Sequence, residues 1–375
     1  MTTEVIGVAG LGTMGLGIAL VYAQAGHPVR ATDIDPGARG QAFARLAGLL
    51  GPRVEMGALS AADRDAILGR ITVADTVEGL APAVLAIEAI VEKLGPKQAL
   101  FAVLERALGA GAVVASNTSS LSIGAIAASM ERPSRLLGLH FFNPAPAMKL
   151  VELVAHRGTS AEAVALARRL TEGAGKTVIA CPDSPGFIVN RCARPYYGEA
   201  LALLEEGRTA AEIDAAMVAG GYRLGPFALI DLIGADINLA ATEGLSAAMR
   251  GHPRYHVFGT LRAQVAKGAL GRKTGYGFTL PAAAPKAAPD DAAEIVLRIE
   301  AALVNEAAWL AGDGGVAAPD VDTALRLGLN FPRGPFEMLE RHGKARILAV
   351  LAGLAGAAPA HLMDRYAPAR LLLMG

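Results

Sequence analysis

Residues 4–9, EVIGVA, are a short run rich in β-branched residues. They lead directly into Gly10-Leu11-Gly12-Thr13-Met14-Gly15 and the helical pattern Ile18, Ala19, Val21, Tyr22. Strand, glycine turn and helix in that order commit the start of the chain to a parallel α/β unit. The first glycine permits a tight turn, the second lets a pyrophosphate approach the backbone, and the third lets helix and strand pack closely. Amides at the helix start then bind the phosphates. The six-residue motif is weak by itself, but a second strand, His27 to Thr32, delivers Asp33. That is close to the offset of roughly twenty residues at which an acid binds the adenosine ribose. Asp33-Ile34-Asp35 would repel a 2′-phosphate and no arginine follows to receive one, so the expected cofactor is NAD rather than NADP.

The strand and helix alternation continues. Gly37 to Gly69 reads as helical, with Arg39, Arg45 and Arg53 on a face that is either solvated, the commoner case, or turned to phosphate, and Ile71 to Val73 as a strand. Ala83 to Val91 reads as a buried parallel strand that brings Glu92 and then Lys97 to its carboxyl end, the edge where doubly wound sheets bind ligands. Ala112 to Ala115 runs into Ser116-Asn117-Thr118-Ser119-Ser120, hydroxyl groups that either cap the next helix or face a ligand. Leu136 to Phe142 carries His140, and Lys149 to Val154 carries Glu152. The stretch GLHFFNPAPAMKLVEL can therefore return a carboxylate to an imidazole across two adjacent strands. A carboxylate on one ring nitrogen fixes the tautomer and leaves the other nitrogen to take a proton. A lone histidine at a strand end is more often structural, so the pair draws its meaning from the nucleotide site beside it.

Lys+Arg and Asp+Glu both total 35, which leaves no net charge to attract nucleic acid or an anionic membrane. The two cysteines, Cys181 and Cys192, form neither a disulfide framework nor a metal-ligand cluster, and suggest a reducing, cytoplasmic setting. No signal-peptide pattern opens the chain, and no apolar run reaches the roughly 18 residues of a membrane helix. The nearest approach, Ile347 to Ala360, reads as a core-facing terminal helix.

Past Cys181 the pattern becomes almost all helical, with Pro185-Gly186-Phe187 at the switch. Ile188 to Leu204 is a long amphipathic segment bearing Asn190 and Glu199. The scheme then recurs: Glu306 echoes Glu199, Asp322 echoes Asp214, and Gly334-Pro335-Phe336 echoes Gly225-Pro226-Phe227. Asn190 aligns with Leu297, so the second copy is expected to be structural. The expected organisation is an α/β Rossmann-type dinucleotide-binding domain over 1–183 and a first helical copy, with the catalytic cleft, over 184–280. A Pro/Ala-rich linker over 281–291 and a second helical copy over 292–375 complete it.

The motifs GLGTMG, EAIVEKLGPKQALF, ASNTSSL, GLHFFNPAPAMKLVEL, PGFIVNR, GYRLGPFALID and GRKTGYGF, in that order, resemble the L-3-hydroxyacyl-CoA dehydrogenase family over nearly the whole length. The resemblance implies that His140 is the general base and Glu152 its partner, with Ser119 and Asn190 close to the reacting oxygen. It implies NAD contacts at Gly10, Leu11, Gly12, Thr13, Met14, Gly15, Asp33, Glu92, Lys97, Ser119, Asn143 and Lys273. Substrate contacts fall to Ser119, Lys97 and Asn190, with Lys97 and Ser119 touching the CoA moiety. The Ser and Lys that grip CoA in some members have no counterpart in Leu49 to Met56, where Arg45 and Arg53 are the nearest basic groups. The duplicated helical region resembles the subset in which the second copy takes a partner subunit's place, as a monomer with an internal pseudo-dimer or as a homodimer. Phe331-Pro332-Arg333-Gly334-Pro335 looks most like dehydrogenases of 3-hydroxyadipyl-CoA or 3-hydroxybutyryl-CoA. The implied reaction is reversible, NAD-dependent oxidation of an (S)-3-hydroxyacyl-CoA in fatty acid β-oxidation or aromatic-acid (phenylacetate-type) catabolism. Two other classes share the glycine turn: a dehydrogenase of a small free hydroxy acid, and a non-enzymatic NAD-binding protein.

Overall fold

The computed structural model describes residues 4–281 and 287–374. The chain divides into compact units over Met1–Ser184 and Pro185–Gly375. Part of the expected linker, 282–286, lies outside the described residues.

The first unit is built on one eight-stranded sheet. Its strands are β1 (Ile6–Ala9), β2 (Val29–Thr32), β3 (Ile71–Val73), β4 (Leu85–Glu88), β5 (Val113–Ser116), β6 (Leu136–Phe141), β7 (Leu150–Ala155) and β8 (Thr177–Pro182). They lie in the order β3-β2-β1-β4-β5-β6-β7-β8. β3 through β6 run parallel, β7 turns back against β6, and β8 is parallel to β7. Both faces of the central strands are buried, so they show no alternation of polar and apolar residues, and Glu88 and Ser116 are the polar groups that close β4 and β5. The chain order reverses between β1 and β4, and a sheet of this kind opens a ligand crevice at the carboxyl end of such a point.

Local chemistry shortens two of the sequence-based elements. The run from Ala83 to Val91 is strand only over Leu85–Glu88, because the Glu88 carboxylate accepts the Ile90 amide at 2.6 Å and bends the chain out of the sheet. The helical stretch 37–69 is two helices, Pro36–Glu55 and Ala61–Gly69, the second begun by Ser60 accepting the Asp63 amide at 3.0 Å.

The second unit is helical, and its longest helix, Ala292–Gly312, packs against Arg194–Glu205, Ala210–Ala219, Pro335–His342 and Lys344–Ala357. The segment from Ile188 to Leu204 is two helices, Val189–Cys192 and Arg194–Glu205, with Pro195 unable to supply an amide at their junction. The helix expected to face the core over 347–360 is Lys344–Ala357, and it buries only Ile347 and Leu351.

Local structure recurs along this unit. Asp214 accepts the amides of Phe227 and Ala228 at 2.9 and 2.8 Å, and Asp322 accepts those of Phe336 and Glu337 at 2.7 and 3.3 Å. Each aspartate thus satisfies the start of the helix opened by a Gly-Pro-Phe triplet. A Cβ on Gly225 or Gly334 would fall 2.3 Å from its aspartate, so the triplet has no room for a larger first residue. Two buried glutamates repeat the theme. Glu199 accepts Arg298 Nε at 3.1 Å, Arg365 Nε at 2.7 Å and Tyr366 Oη at 3.2 Å. Glu306 accepts Arg191 Nε at 2.7 Å, Arg254 Nε at 3.0 Å and Tyr255 Oη at 2.6 Å. Each glutamate draws its arginines from the other half of the unit.

Candidate active site

The glycine turn sits at the switch between β1 and β4. Gly10 has φ +106°, and a Cβ there would lie 2.5 Å from the Ala89 carbonyl oxygen; one on Gly15 would lie 1.8 Å from the Gly10 carbonyl oxygen. A Cβ on Gly12 would meet nothing within 4 Å, so this glycine is the one that leaves space above the turn. The helix Thr13–Gln24 begins at Gly12 with no side-chain cap, which leaves its first amides for an anion. At the end of β2 the Asp33 carboxylate accepts the Leu11 amide at 2.7 Å and the Asp35 amide at 2.9 Å, and so ties the turn to the acid. These features fit a dinucleotide: open space over Gly12, unspent helix amides, and a carboxylate fixed at the next strand end.

Two arginines belong to this corner. Arg39 returns to donate to the Asp33 carbonyl at 2.8 Å, so an arginine does stand near the acid, spent on backbone oxygen. Arg45 donates to the Leu11 carbonyl at 2.8 Å and braces the turn, while Arg53 lies in the last turn of the helix Pro36–Glu55. Ile34 is 97% exposed immediately after Asp33, an apolar surface that sequence reasoning passed over.

At the ends of β4 and β5 lies a charged network. Glu88, fully buried, accepts Lys97 Nζ, Ser116 Oγ and the Ile90 amide, each at 2.6 Å. Lys97 is 1% exposed and also reaches Glu92 at 3.2 Å. The lysine expected to meet ligand is therefore held between two carboxylates, and Glu88 is the residue the sequence did not flag. Glu92 in turn accepts Thr118 Oγ1 at 2.6 Å, the Ser119 amide at 2.9 Å and Ser120 Oγ at 3.0 Å. Burial pulls its carboxyl upward, but the Thr118 hydrogen bond, the Lys97 charge and the Ser119 and Ser120 donors outweigh it and hold the group below the usual carboxylate value.

His140 and Glu152 are cross-strand partners in the antiparallel β6–β7 pair. His140 Nδ1 lies 2.7 Å from Glu152 Oε2, with His140 6% exposed and Glu152 fully buried. A buried carboxylate is an acceptor, which assigns the proton to Nδ1 and directs Nε2 to any proton exchange. The connecting turn is pinned from three sides. Lys176 Nζ donates to the Ala145 and Met148 carbonyls at 2.6 and 2.8 Å, Ala145 packs within 3.2 Å of the Cβ position of Gly17, and Asn117 Oδ1 accepts the Phe141 amide at 2.8 Å. Asn143 is exposed on this turn.

Asn190 and Lys273 belong to the second unit. Asn190 lies in the short helix Val189–Cys192, and its carbonyl accepts Arg194 Nε at 3.1 Å. Lys273 donates to Asp236 at 2.6 Å. The GRKTGYGF segment around Lys273 is held by Asp231, 2% exposed, which accepts the amides of Phe278 and Thr279 at 2.9 and 2.7 Å. A Cβ on Gly277 would strike that carboxylate at 2.1 Å, which explains the glycine.

Comparison with known proteins agrees with this geometry. The sequence model described as 3-hydroxyacyl-CoA dehydrogenase, NAD binding domain, matches residues 5–184. The model of the C-terminal domain of the same enzymes matches residues 186–280 and 295–374. The chain is 34% identical to a 3-hydroxyadipyl-CoA dehydrogenase of Escherichia coli (strain K12), over 99% of this chain and 97% of that protein. The structure of a 3-hydroxybutyryl-CoA dehydrogenase from E. coli K12 superposes with a TM-score of 0.92 at 32% identity, covering 100% of this chain and 98% of that one. (S)-3-hydroxybutyryl-CoA dehydrogenase PaaH1 from Ralstonia eutropha gives a TM-score of 0.72 at 37% identity over 74% of this chain and 99% of that one. With the nucleotide turn, the buried His140–Glu152 pair and both domain models accounted for along nearly the full length, the chain belongs to the 3-hydroxyacyl-CoA dehydrogenase family.

Proposed function

We propose that the protein catalyses the reversible, NAD-dependent oxidation of an (S)-3-hydroxyacyl-CoA to the 3-oxoacyl-CoA, with His140 as the general base. The observation that carries the reading is the 2.7 Å contact between His140 Nδ1 and a carboxylate with no exposure to water. His140 Nε2 takes the hydroxyl proton, and Glu152, lacking water to screen it, stabilises the imidazolium that forms. NAD, when bound, accepts the hydride from C3. In the reverse direction the imidazolium returns the proton to the new alkoxide. Ser119 and Asn190 hydrogen-bond the reacting oxygen and polarise it. Gly10 through Gly15 and Asp33 hold the pyrophosphate and ribose, Ile34 offers its exposed face to the adenine, and Glu92, Ser119, Asn143 and Lys273 complete the cofactor contacts.

Glu88 gives Lys97 a positioning role in place of direct ligand contact. Domain bounds at 183 and 280, a second helical copy that serves structure, and a cytoplasmic location go with this reading. So does an internal pseudo-dimer, whose support is the reciprocal pairing of Glu199 and Glu306 with arginines of the opposite half. The test is NADH oxidation driven by 3-oxoacyl-CoA thioesters compared with the free 3-oxo acids. Turnover of the thioesters alone is expected; turnover of the free acids alone would select the small hydroxy acid reading, and turnover of neither would remove the enzyme reading.

A further inference from the structure

We propose that Lys176 is a positioning residue for the cofactor: its ammonium holds the 143–149 turn against the nucleotide-binding helix, and so fixes Asn143 relative to the glycine turn. The inference rests on the NAD-dependent reading above and on residues of the first unit alone.

Gly175, at φ +79°, follows the helix Ala161–Gly173 and turns the chain into β8. Lys176 thereby arrives beside the start of β7, where the Thr177 amide donates to the Lys149 carbonyl at 2.8 Å. From there Lys176 Nζ donates to the Ala145 and Met148 carbonyls at 2.6 and 2.8 Å, with the Pro146 carbonyl at 3.5 Å. One group closes the tip of the turn. The turn's own backbone offers little else, because Pro144 and Pro146 have no amide to give and the Pro144 carbonyl accepts the amides of Ala147 and Met148 at 3.0 Å each.

The residues that Lys176 holds are those that meet the helix Thr13–Gln24. A Cβ on Gly17 would fall 3.2 Å from Ala145 Cβ and 3.3 Å from Pro146 Cδ, so turn and helix touch with no slack. The first amides of that helix are the ones left for the pyrophosphate. Asn143, exposed, sits on the same turn two residues past β6. His140 and Glu152, by contrast, are set by the β6–β7 register and need no help from the tip of the turn. Lys176 therefore acts on cofactor placement before it acts on proton transfer.

Charge sets this lysine apart. Lys97 and Lys273 face carboxylates, whereas Lys176, 8% exposed, donates to main-chain carbonyls. Burial first, and the like charge of Lys149 at the end of the turn second, lower its pKa to about 8. The ammonium that closes the turn is complete below that pH. Above it the group loses its charge and one of its three donors.

The experiment is fluorescence titration of NADH on both sides of pH 8 for the wild-type chain, Lys176→Met and Lys176→Arg, with kcat at saturating NADH measured alongside. Wild-type affinity should decline as pH rises through about 8. Lys176→Met should bind NADH about 10-fold more weakly below that step, the scale of a lost charged hydrogen bond, and should show no step of its own. Its kcat should fall less than its affinity. Lys176→Arg keeps its charge throughout, and should recover part of the affinity without the step. A Lys176→Met chain that binds NADH as the wild type does, or that still steps at the wild-type pH, overturns the inference and leaves Lys176 a merely structural residue. Should Lys176→Met fail to fold, Lys176→Arg decides: loss of the step supports the inference, and a step at the wild-type pH overturns it. A wild-type chain that binds no NADH at any pH would fell the cofactor reading itself, and the inference with it.

Discussion

Glu152 is fully buried and holds the His140 imidazole at 2.7 Å before any substrate arrives. Glu152→Gln keeps an acceptor for Nδ1–H but removes the charge that stabilises imidazolium. Turnover should fall by about 10²-fold or more, the scale of positioned acid–base catalysis. Steady-state kinetics with the folded variant checks it, and an unchanged kcat would reduce Glu152 to a packing role. Lys97 illustrates where reading stops at this scale. Its place after a buried strand was visible in the sequence, but Glu88 lies nine residues earlier inside that strand, and only the bend at Ile90 brings the two to 2.6 Å. Strand periodicity conceals such a group, because a fully buried strand gives no alternation from which an inward carboxylate would stand out. Glu88→Gln should therefore weaken NADH binding through misplacement of Lys97 and Ser116, as measured by fluorescence titration of the cofactor.

At the scale of elements, the strands that touch the site were legible because each ends in distinctive chemistry: glycines, Asp33, the hydroxyl run, His140. The helices were less so. Ile188 to Leu204 presents one amphipathic face whether or not the helix breaks at Ala193, and the helix Lys344–Ala357 is alanine-rich enough to look buried while exposing most of its surface. The Gly-Pro-Phe triplets were readable as repeats, but their role as aspartate-capped helix starts was not. Gly225→Ala forces a methyl to 2.3 Å from Asp214 and should destabilise the second unit by about 1–3 kcal/mol, the usual range for overpacking. Gly334→Ala should do the same against Asp322, and urea unfolding of both variants measures it. Asp214 adds a pH signature. Burial, opposed by the Phe227 and Ala228 amides, pushes its carboxyl up to about 6. The folded state then binds more protons than the unfolded chain between the ordinary aspartate value and about 6, so this group's contribution to stability declines as pH rises through that window. The stability gap between the wild type and Asp214→Asn should accordingly narrow from pH 4 toward neutrality; a gap that widens would mean that the two amides dominate.

For the whole molecule, the sequence motifs predicted an α/β unit followed by helices, and the family comparison spans both. What no local pattern could reveal is the exchange of buried charge along the second unit, where Arg191 meets Glu306, Arg298 meets Glu199, and the partners lie about a hundred residues apart. These pairs make each half incomplete without the other. The central claim remains chemical: a carboxylate-held imidazole moves the proton while a 3-oxoacyl thioester and NADH react. The most direct measurement is the rate of NADH oxidation by acetoacetyl-CoA for the wild type and His140→Gln, with NADH affinity determined in parallel. The account predicts a fall in kcat of about 10²–10⁴-fold with cofactor binding preserved. A His140→Gln enzyme that binds NADH and turns over at the wild-type rate would contradict it.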